Sequence, residues 1–328
     1  MKINHKENMK AALECRQPET AVPIWEVEFQ AWDNLSGKHL ILGTEFAGLS
    51  TKEQEAAINN NAELMISTAK ELYFSAITEI NAYWEIAPGK PSYYWLPDEA
   101  RLKQNELLQK YCEEEKLMLI GICSANISMP LNSAKYEEFC YRLFDEPEEI
   151  DKEAEELFRK GMKITMQYAC QGYDCIFSPT DIADNRGPFF NPTQMDRWFY
   201  PYLRKWTEEV RKHGMYCILH SDGNLMPLLD NLANSGLHGI QAIDQLAGMN
   251  IKEVKEKVAG KLCVCGNVAT SLMVEGPKES VYESTREILL GCKAGGGLVL
   301  GNSNAVEPVT PAEYYLELVR AWKNYGMY

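Results

Sequence analysis

Eight short apolar runs, each followed by a longer helical pattern, constrain this chain more than any other feature. The runs fall at about 22–29, 74–80, 118–126, 175–182, 216–222, 239–246, 262–268 and 297–304. They are rich in β-branched residues and cysteine and are bounded by polar or glycine-containing turns, as buried strands are. Helical periodicity fills most of the intervals, over 51–72, 148–170, 193–213, 225–235, 250–258, 276–292 and 311–325. Eight strand-then-helix units predict a single (β/α)8 barrel. A doubly wound open sheet is the competing α/β architecture. It would be expected to carry a glycine-rich phosphate turn after the first strand, which here reads Glu26-Val-Glu-Phe-Gln30.

No linker or low-complexity stretch divides the 328 residues, so the expectation is one domain spanning 1–328. The interval after the second strand, about 81–110, contains Tyr83, Trp84, Tyr93, Tyr94 and Trp95 and reads as an aromatic insertion over the barrel mouth. Packing of a lid and binding of a planar ligand are both open uses for those rings.

Charge narrows the partners. A net charge of −14 opposes a nucleic-acid or anionic-membrane surface. No apolar run spans a bilayer and the N-terminus has no apolar signal core, so a cytoplasmic location is expected. The ten cysteines then read as reduced, and Cys123, Cys175, Cys217, Cys263 and Cys265 as small buried hydrophobes in strands.

In such a barrel the chemistry collects at the C-terminal ends of the strands. Those ends offer Glu26 and Glu28, then Glu79, then Ser124 and Asn126, then Thr180, Asp181 and Asp184. They continue with His220 and Asp222, Gln241 and Asp244, Cys265 and Asn267, and finally Asn302, Ser303 and Asn304. Alternation along the fifth run puts His220 and Asp222 on one face and Ser221 on the other, which excludes a Ser–His pair there. A mouth rich in carboxylates, with one histidine and one cysteine, suits Zn2+ or another divalent ion better than a phosphate. The alternative for each carboxylate is a helix cap in a βα loop, strongest for Asp184 and weaker for Glu79. No GxSxG, P-loop, HExxH or GxGxxG pattern points elsewhere.

Taken in order, several segments resemble the uroporphyrinogen decarboxylase superfamily, which includes zinc-dependent corrinoid and coenzyme M methyltransferases. They are Val22-Pro-Ile-Trp25, Phe74-Ser-Ala-Ile-Thr-Glu-Ile80, and Asp181 followed by Gly187-Pro-Phe-Phe-Asn-Pro192 and a helix bearing Pro201-Tyr202. His220-Ser-Asp-Gly-Asn224, Cys265-Gly-Asn-Val268, Gly295-Gly-Gly-Leu-Val-Leu-Gly301 and Tyr325-Gly-Met-Tyr328 complete the set. The resemblance implies a TIM barrel. Decarboxylases of that superfamily carry arginines after the first strand's Pro-x-Trp, where this chain has Glu26-Val-Glu-Phe-Gln30, and a late histidine, whereas no histidine follows His238. Porphyrinogen decarboxylation is therefore the third-ranked expectation.

In the methyltransferase branch the zinc is held by His-x-Cys and a later Cys. This chain keeps His220 but has Asp222 and Asn304 in the thiolate positions, so both thiolates of a thiol-activating zinc site are missing. The resemblance thus implies a methyltransferase that moves a methyl group from a small methylated compound, such as a methoxylated aromatic, to cobalamin carried by a partner corrinoid protein, as in an O-demethylase system. The expected roles are catalytic for Glu79, Asp181 and Asn267, and metal-binding, with zinc, for His220, Asp222 and Cys265. Substrate binding is expected of Trp25, Tyr83, Trp84, Tyr94, Trp95 and Asn304. A non-catalytic barrel that binds a small ligand or docks the corrinoid protein is the alternative. An exposed stripe on a barrel helix would make a homodimer.

Overall fold

The computed structural model describes residues 3–80, 96–130 and 135–328. Within them a parallel sheet forms from β1 (Ala76–Thr78), β2 (Met118–Ile122), β3 (Cys175–Pro179), β6 (Tyr216–Ser221), β7 (Gly239–Ala242), β8 (Cys263–Cys265) and β9 (Leu298–Val299), in that spatial order. The small antiparallel pair β4 (Ala183–Asp184) and β5 (Gly187–Pro188) is a hairpin in the loop between β3 and β6. Residues of β2, β7 and β8 are buried throughout, as expected of parallel strands covered on both faces.

The first predicted strand is the shortest in practice. Pro23 has no N–H to give to a ladder, and pairing with the neighbouring sheet edges is reduced to Ile24, which bridges Phe74 on one side and Leu300 on the other, both in parallel, while Phe29 bridges Val306 further on. Ser75 N–H donates to the Ile24 carbonyl at 2.7 Å, and Trp25 N–H and Leu300 N–H complete the seam on the other edge at 3.0 and 2.8 Å. The two edges of the sheet therefore meet on Ile24 and the sheet closes into the expected (β/α)8 barrel.

The helices follow most of the sequence signals, and two of the expected segments differ. The helix Pro147–Gln171 starts at a proline, carries Glu148 and Glu149 in its first turn and ends at Gly172, whose φ of 80° only glycine adopts freely. The expected helix over 193–213 is interrupted: Pro192–Gln194 passes into a π-helical turn, Met195–Phe199, before Tyr200–Lys212. Pro201, without an N–H, sits at the start of that last segment and accounts for the break in the ladder. The expected insertion over 81–110 is corrected at its second half. Asp98–Glu115 is a barrel helix, tied to the helix Thr51–Glu71 by a buried bond from Asn61 Nδ2 to Gln104 Oε1 at 3.1 Å. Tyr83, Trp84, Tyr93, Tyr94 and Trp95 lie outside the described residues.

A helix absent from the sequence reading, His5–Leu13, closes the N-terminal end of the barrel. Its Met9, Ala12 and Leu13 pack into the barrel interior with Trp25, Met118, Ile120, Phe177, Ile218, Cys263 and Cys265. The interior is thus apolar from the floor up to Phe177, whose ring stands 5.8 Å from those of Trp25 below and His220 above. Among the described residues no helix is long and apolar enough to cross a membrane. All ten cysteines are free thiols, and Cys123, Cys175, Cys217, Cys263 and Cys265 are buried.

Candidate metal centre at the strand ends

The register of three neighbouring strands assembles the site. Pro179 on β3 pairs with His220 on β6, and His220 pairs with Gln241 on β7. Two residues past each member of the first pair stand Asp181 and Asp222, so the loops leaving β3 and β6 bring both carboxylates to the imidazole. The Asp222 N–H donates to Asp181 Oδ1 at 3.0 Å, which locks the two loops together. Ser221 points away, as alternation requires: it is fully buried, and its hydroxyl oxygen accepts the Ile182 N–H at 3.0 Å.

Three groups converge. His220 Nε2 lies 3.8 Å from Asp181 Oδ1 and 3.9 Å from Asp222 Oδ1. One ligand atom from each residue falls within 4.8 Å of the others, and among the described residues this is the grouping of histidine, cysteine and acid side chains able to hold an ion. The exposures grade outward: the side chains of His220, Asp181 and Asp222 are 12%, 29% and 42% exposed. The centre is therefore walled by protein on the histidine side and open on the carboxylate side. Burial pushes the Asp222 carboxyl above its ordinary value; His220 opposes that, while Asp181 and Asp244 add to it. A cation placed among these groups offsets that repulsion.

The donor set fits a divalent metal. The 3.8 and 3.9 Å separations exceed hydrogen-bond length. They are near the roughly 3.4 Å between ligand atoms of a tetrahedral Zn2+ whose bonds are about 2 Å. One nitrogen and two carboxylates make a three-ligand set of the kind that leaves a position free for substrate. Alongside lies a cavity of about 310 Å3 lined by Asp222, Asp244, Thr270, Ser303, Asn304 and Glu307, among other residues.

The other expected site residues separate into distinct places. Asn304 is beside the centre: its Nδ2 donates to Asp222 Oδ2 at 2.7 Å, and its Oδ1 accepts the Ala305 N–H. It thus orients a carboxylate of the group as well as lining the cavity. Cys265 is not among the converging groups. It pairs with Gln241 in the ladder, but its thiol turns into the space beside Gly239 and belongs to the apolar interior with Leu13 and Trp25. Trp25 is buried in the same interior and spends its indole N–H on Thr78 Oγ1 at 3.0 Å. Asn267 is buried after β8; its Nδ2 donates to the Ile243 carbonyl at 2.7 Å, and its Oδ1 has no partner. It lines a separate cavity, of about 580 Å3, with Gln245, Lys252 and Glu279.

Glu79 is 4% exposed and held by four donors. They are the Tyr168 hydroxyl, the Tyr173 hydroxyl at 3.0 Å, the Ile122 N–H at 3.0 Å and Asn105 Nδ2 at 3.3 Å. Burial still raises its pKa, against the pull of those bonds. Glu26 accepts from the Asn302 N–H and the Tyr315 hydroxyl, both at 2.7 Å, and Glu28 accepts from Gln30 Nε2. Burial pushes both carboxyls up to about 8.

Gln241 and Asp244, polar residues at a strand end in the sequence, take specific roles in the structure. Gln241 contacts His220 directly, with Oε1 at 2.5 Å from Nδ1. Asp244 reaches across to the Gly223 N–H at 3.3 Å while capping the turn Gln245–Ala247 through Leu246 N–H. The signal for Gln241 is present in the sequence as a polar residue at the end of the next strand, but its pairing needs the register.

Known proteins agree with this architecture. A methyltransferase from Methanosarcina mazei superposes with a TM-score of 0.69 at 17% identity, covering 98% of this chain and 99% of that one. Uroporphyrinogen decarboxylase from Coxiella burnetii is 23% identical over 156 residues, 44% of this chain, and the match spans 40% of the relative's own length. The sequence profile described as Uroporphyrinogen decarboxylase (URO-D) matches residues 102–325, which is more than half of the chain and includes every member of the candidate centre. The chain belongs to the uroporphyrinogen decarboxylase (URO-D) family.

Proposed function

We propose that this protein is a metal-assisted methyltransferase. It moves a methyl group from a small methylated donor, such as a methoxylated aromatic, to a corrinoid carried by a partner protein. The observation that carries this reading is His220 Nε2 set against Asp181 and Asp222, at the edge of a 310 Å3 cavity. The full-length likeness to a methyltransferase fold supports it.

Asp181, His220 and Asp222 would hold zinc. When bound, a divalent ion with oxygen ligands supplies Lewis-acid polarisation of an ether oxygen or amine nitrogen as it leaves. Around it, Asn304 fixes the direction of Asp222, and the Thr270 and Ser303 hydroxyls give the cavity hydrogen-bonding groups. Leu246, 81% exposed on the cavity rim, offers an apolar point for a partner to cover. An octacarboxylate fits this mouth poorly, because the cavity carries Asp222, Asp244 and Glu307.

The test uses the full chain loaded with zinc, its metal measured by plasma mass spectrometry. 2-Methoxyphenol serves as donor, and free cob(I)alamin, followed by its absorbance, as acceptor. Stoichiometric zinc and methylcobalamin formation are expected, both lost in His220→Ala. Absence of bound zinc, or methyl transfer that survives His220→Ala, overturns the reading. Zinc binding with no transfer to any corrinoid favours a ligand-binding barrel instead.

A further inference from the structure

We propose that Gln241 is a positioning residue that selects which nitrogen of His220 serves as the ligand. The inference rests on the reading of Asp181, His220 and Asp222 as a metal centre, and it adds the device that keeps one lone pair ready.

The direction of the Gln241 amide is fixed independently of the histidine. Its Nε2 lies 3.2 Å from the carbonyl oxygens of both Asn302 and Ser303. Carbonyl oxygens only accept, so the nitrogen must face them and Oε1 must face His220. Oε1 in turn only accepts, so the hydrogen in the 2.5 Å contact belongs to His220 Nδ1. A neutral imidazole with its proton on Nδ1 has its lone pair on Nε2, the atom that faces Asp181 and Asp222. A proton on Nε2 would find both carboxylates beyond hydrogen-bond length. The Phe177 ring, 5.8 Å away and tilted by 58°, packs beside the imidazole and limits its rotation.

An amide has a consequence that a carboxylate in the same place would not. It fixes the tautomer without adding charge to a group that already contains Asp181 and Asp222, with Asp244 close by. The histidine would be a weaker donor than in a carboxylate–histidine–metal arrangement, which would leave a bound ion more electrophilic.

The tautomer is measurable without metal. In protein labelled with 15N-histidine, long-range 1H–15N spectra at a pH where His220 is neutral are expected to show the Nδ1–H form. Gln241→Met is expected to shift His220 toward the Nε2–H form and to weaken zinc binding, in competition with a chromophoric chelator, by about 10- to 100-fold. Gln241→Glu is expected to restore the Nδ1–H form and the affinity. Wild-type His220 in the Nε2–H form overturns the proposal without any variant. So does Gln241→Met with both tautomer and zinc affinity unchanged. If the tautomer follows residue 241 while the wild type binds no zinc, the positioning role stands and the metal reading fails.

Discussion

Two arcs of the barrel mouth are both acidic in sequence and opposite in physical state. On the arc from β3 to β7, Asp181 and Asp222 are partly exposed and face His220 Nε2 across gaps longer than a hydrogen bond. On the arc around Ile24 and β1, Glu26, Glu28 and Glu79 are buried and their oxygens are met by hydroxyl, amide and N–H donors. The first arc holds lone pairs in reserve. The second spends them, tying the first strand to Asn302 and Tyr315 and β1 to Ile122, Tyr168 and Tyr173. A carboxylate at a barrel strand end is thus a ligand or a brace according to how many donors surround it, and residue type alone does not decide.

The largest expected effect that tests this division is on the braced arc. Replacing Glu79 with Ala strips an acceptor from the buried Tyr173 hydroxyl and leaves a cavity among Tyr168, Ile122 and Asn105. A loss on the order of 3 kcal/mol is expected by urea unfolding, because buried donors are left without partners. Zinc content per folded molecule should stay at the wild-type value. If Glu79→Ala unfolds like the wild type but loses zinc, Glu79 belongs to the open arc and the division collapses.

A smaller effect comes from the two raised carboxyls of the first strand. Glu26 and Glu28 have pKa values of about 8 in the folded chain against 4.5 for the free group. Below about pH 4.5 both states bind the proton and the folded state loses nothing. As pH rises to about 8 the unfolded chain releases protons that the folded chain keeps, so stability falls across that window and then levels off. Glu26→Gln and Glu28→Gln should each flatten the pH dependence between pH 5 and 8 in thermal unfolding. An unchanged slope in both would mean that these acids are ionised and answered by charge.

How much of this was legible before the structure depends on what each inference needed. Buried strands declare themselves by composition, so the runs at 118–126, 175–182 and 216–222 and the barrel they imply were readable. Pro23 marks the first strand as weak, and Pro201 marks the break in the helix before β6, but the apolar pattern around each proline masks both signals. The plug helix was hidden because Met9, Ala12 and Leu13 are spaced among Lys, Glu and Asn, and the surface they cover is made by distant strands. Within the site, alternation alone gave His220 and Asp222 a shared face. Bringing Asp181 and Gln241 to the same point required the pairings Pro179–His220 and His220–Gln241. Cys265 shows the converse limit: it is level with Gln241 in the ladder, yet the missing side chain at Gly239 lets its thiol turn down into the apolar interior.

The finest test separates holding an ion from holding a ligand of that ion. Asn304 donates to Asp222 Oδ2, whereas the oxygen facing His220 is Oδ1. The amide therefore competes for none of the lone pairs turned toward the centre; it sets the rotation of the carboxylate about its own axis. Removing it in Asn304→Ala leaves all three candidate ligands in place and frees one of them to rotate, so zinc affinity should fall by less than about tenfold, below the loss expected at Gln241. Asn304→Ser, too short to bridge the same gap, should behave like the alanine variant, whereas Asn304→Gln, which keeps a donor, should recover part of the affinity. A loss as complete as that of His220→Ala would place Asn304 among the ligands and move the boundary of the open arc onto the last strand. No change in affinity in any of the three would show that Asp222 is oriented by its backbone and by Asp181 alone.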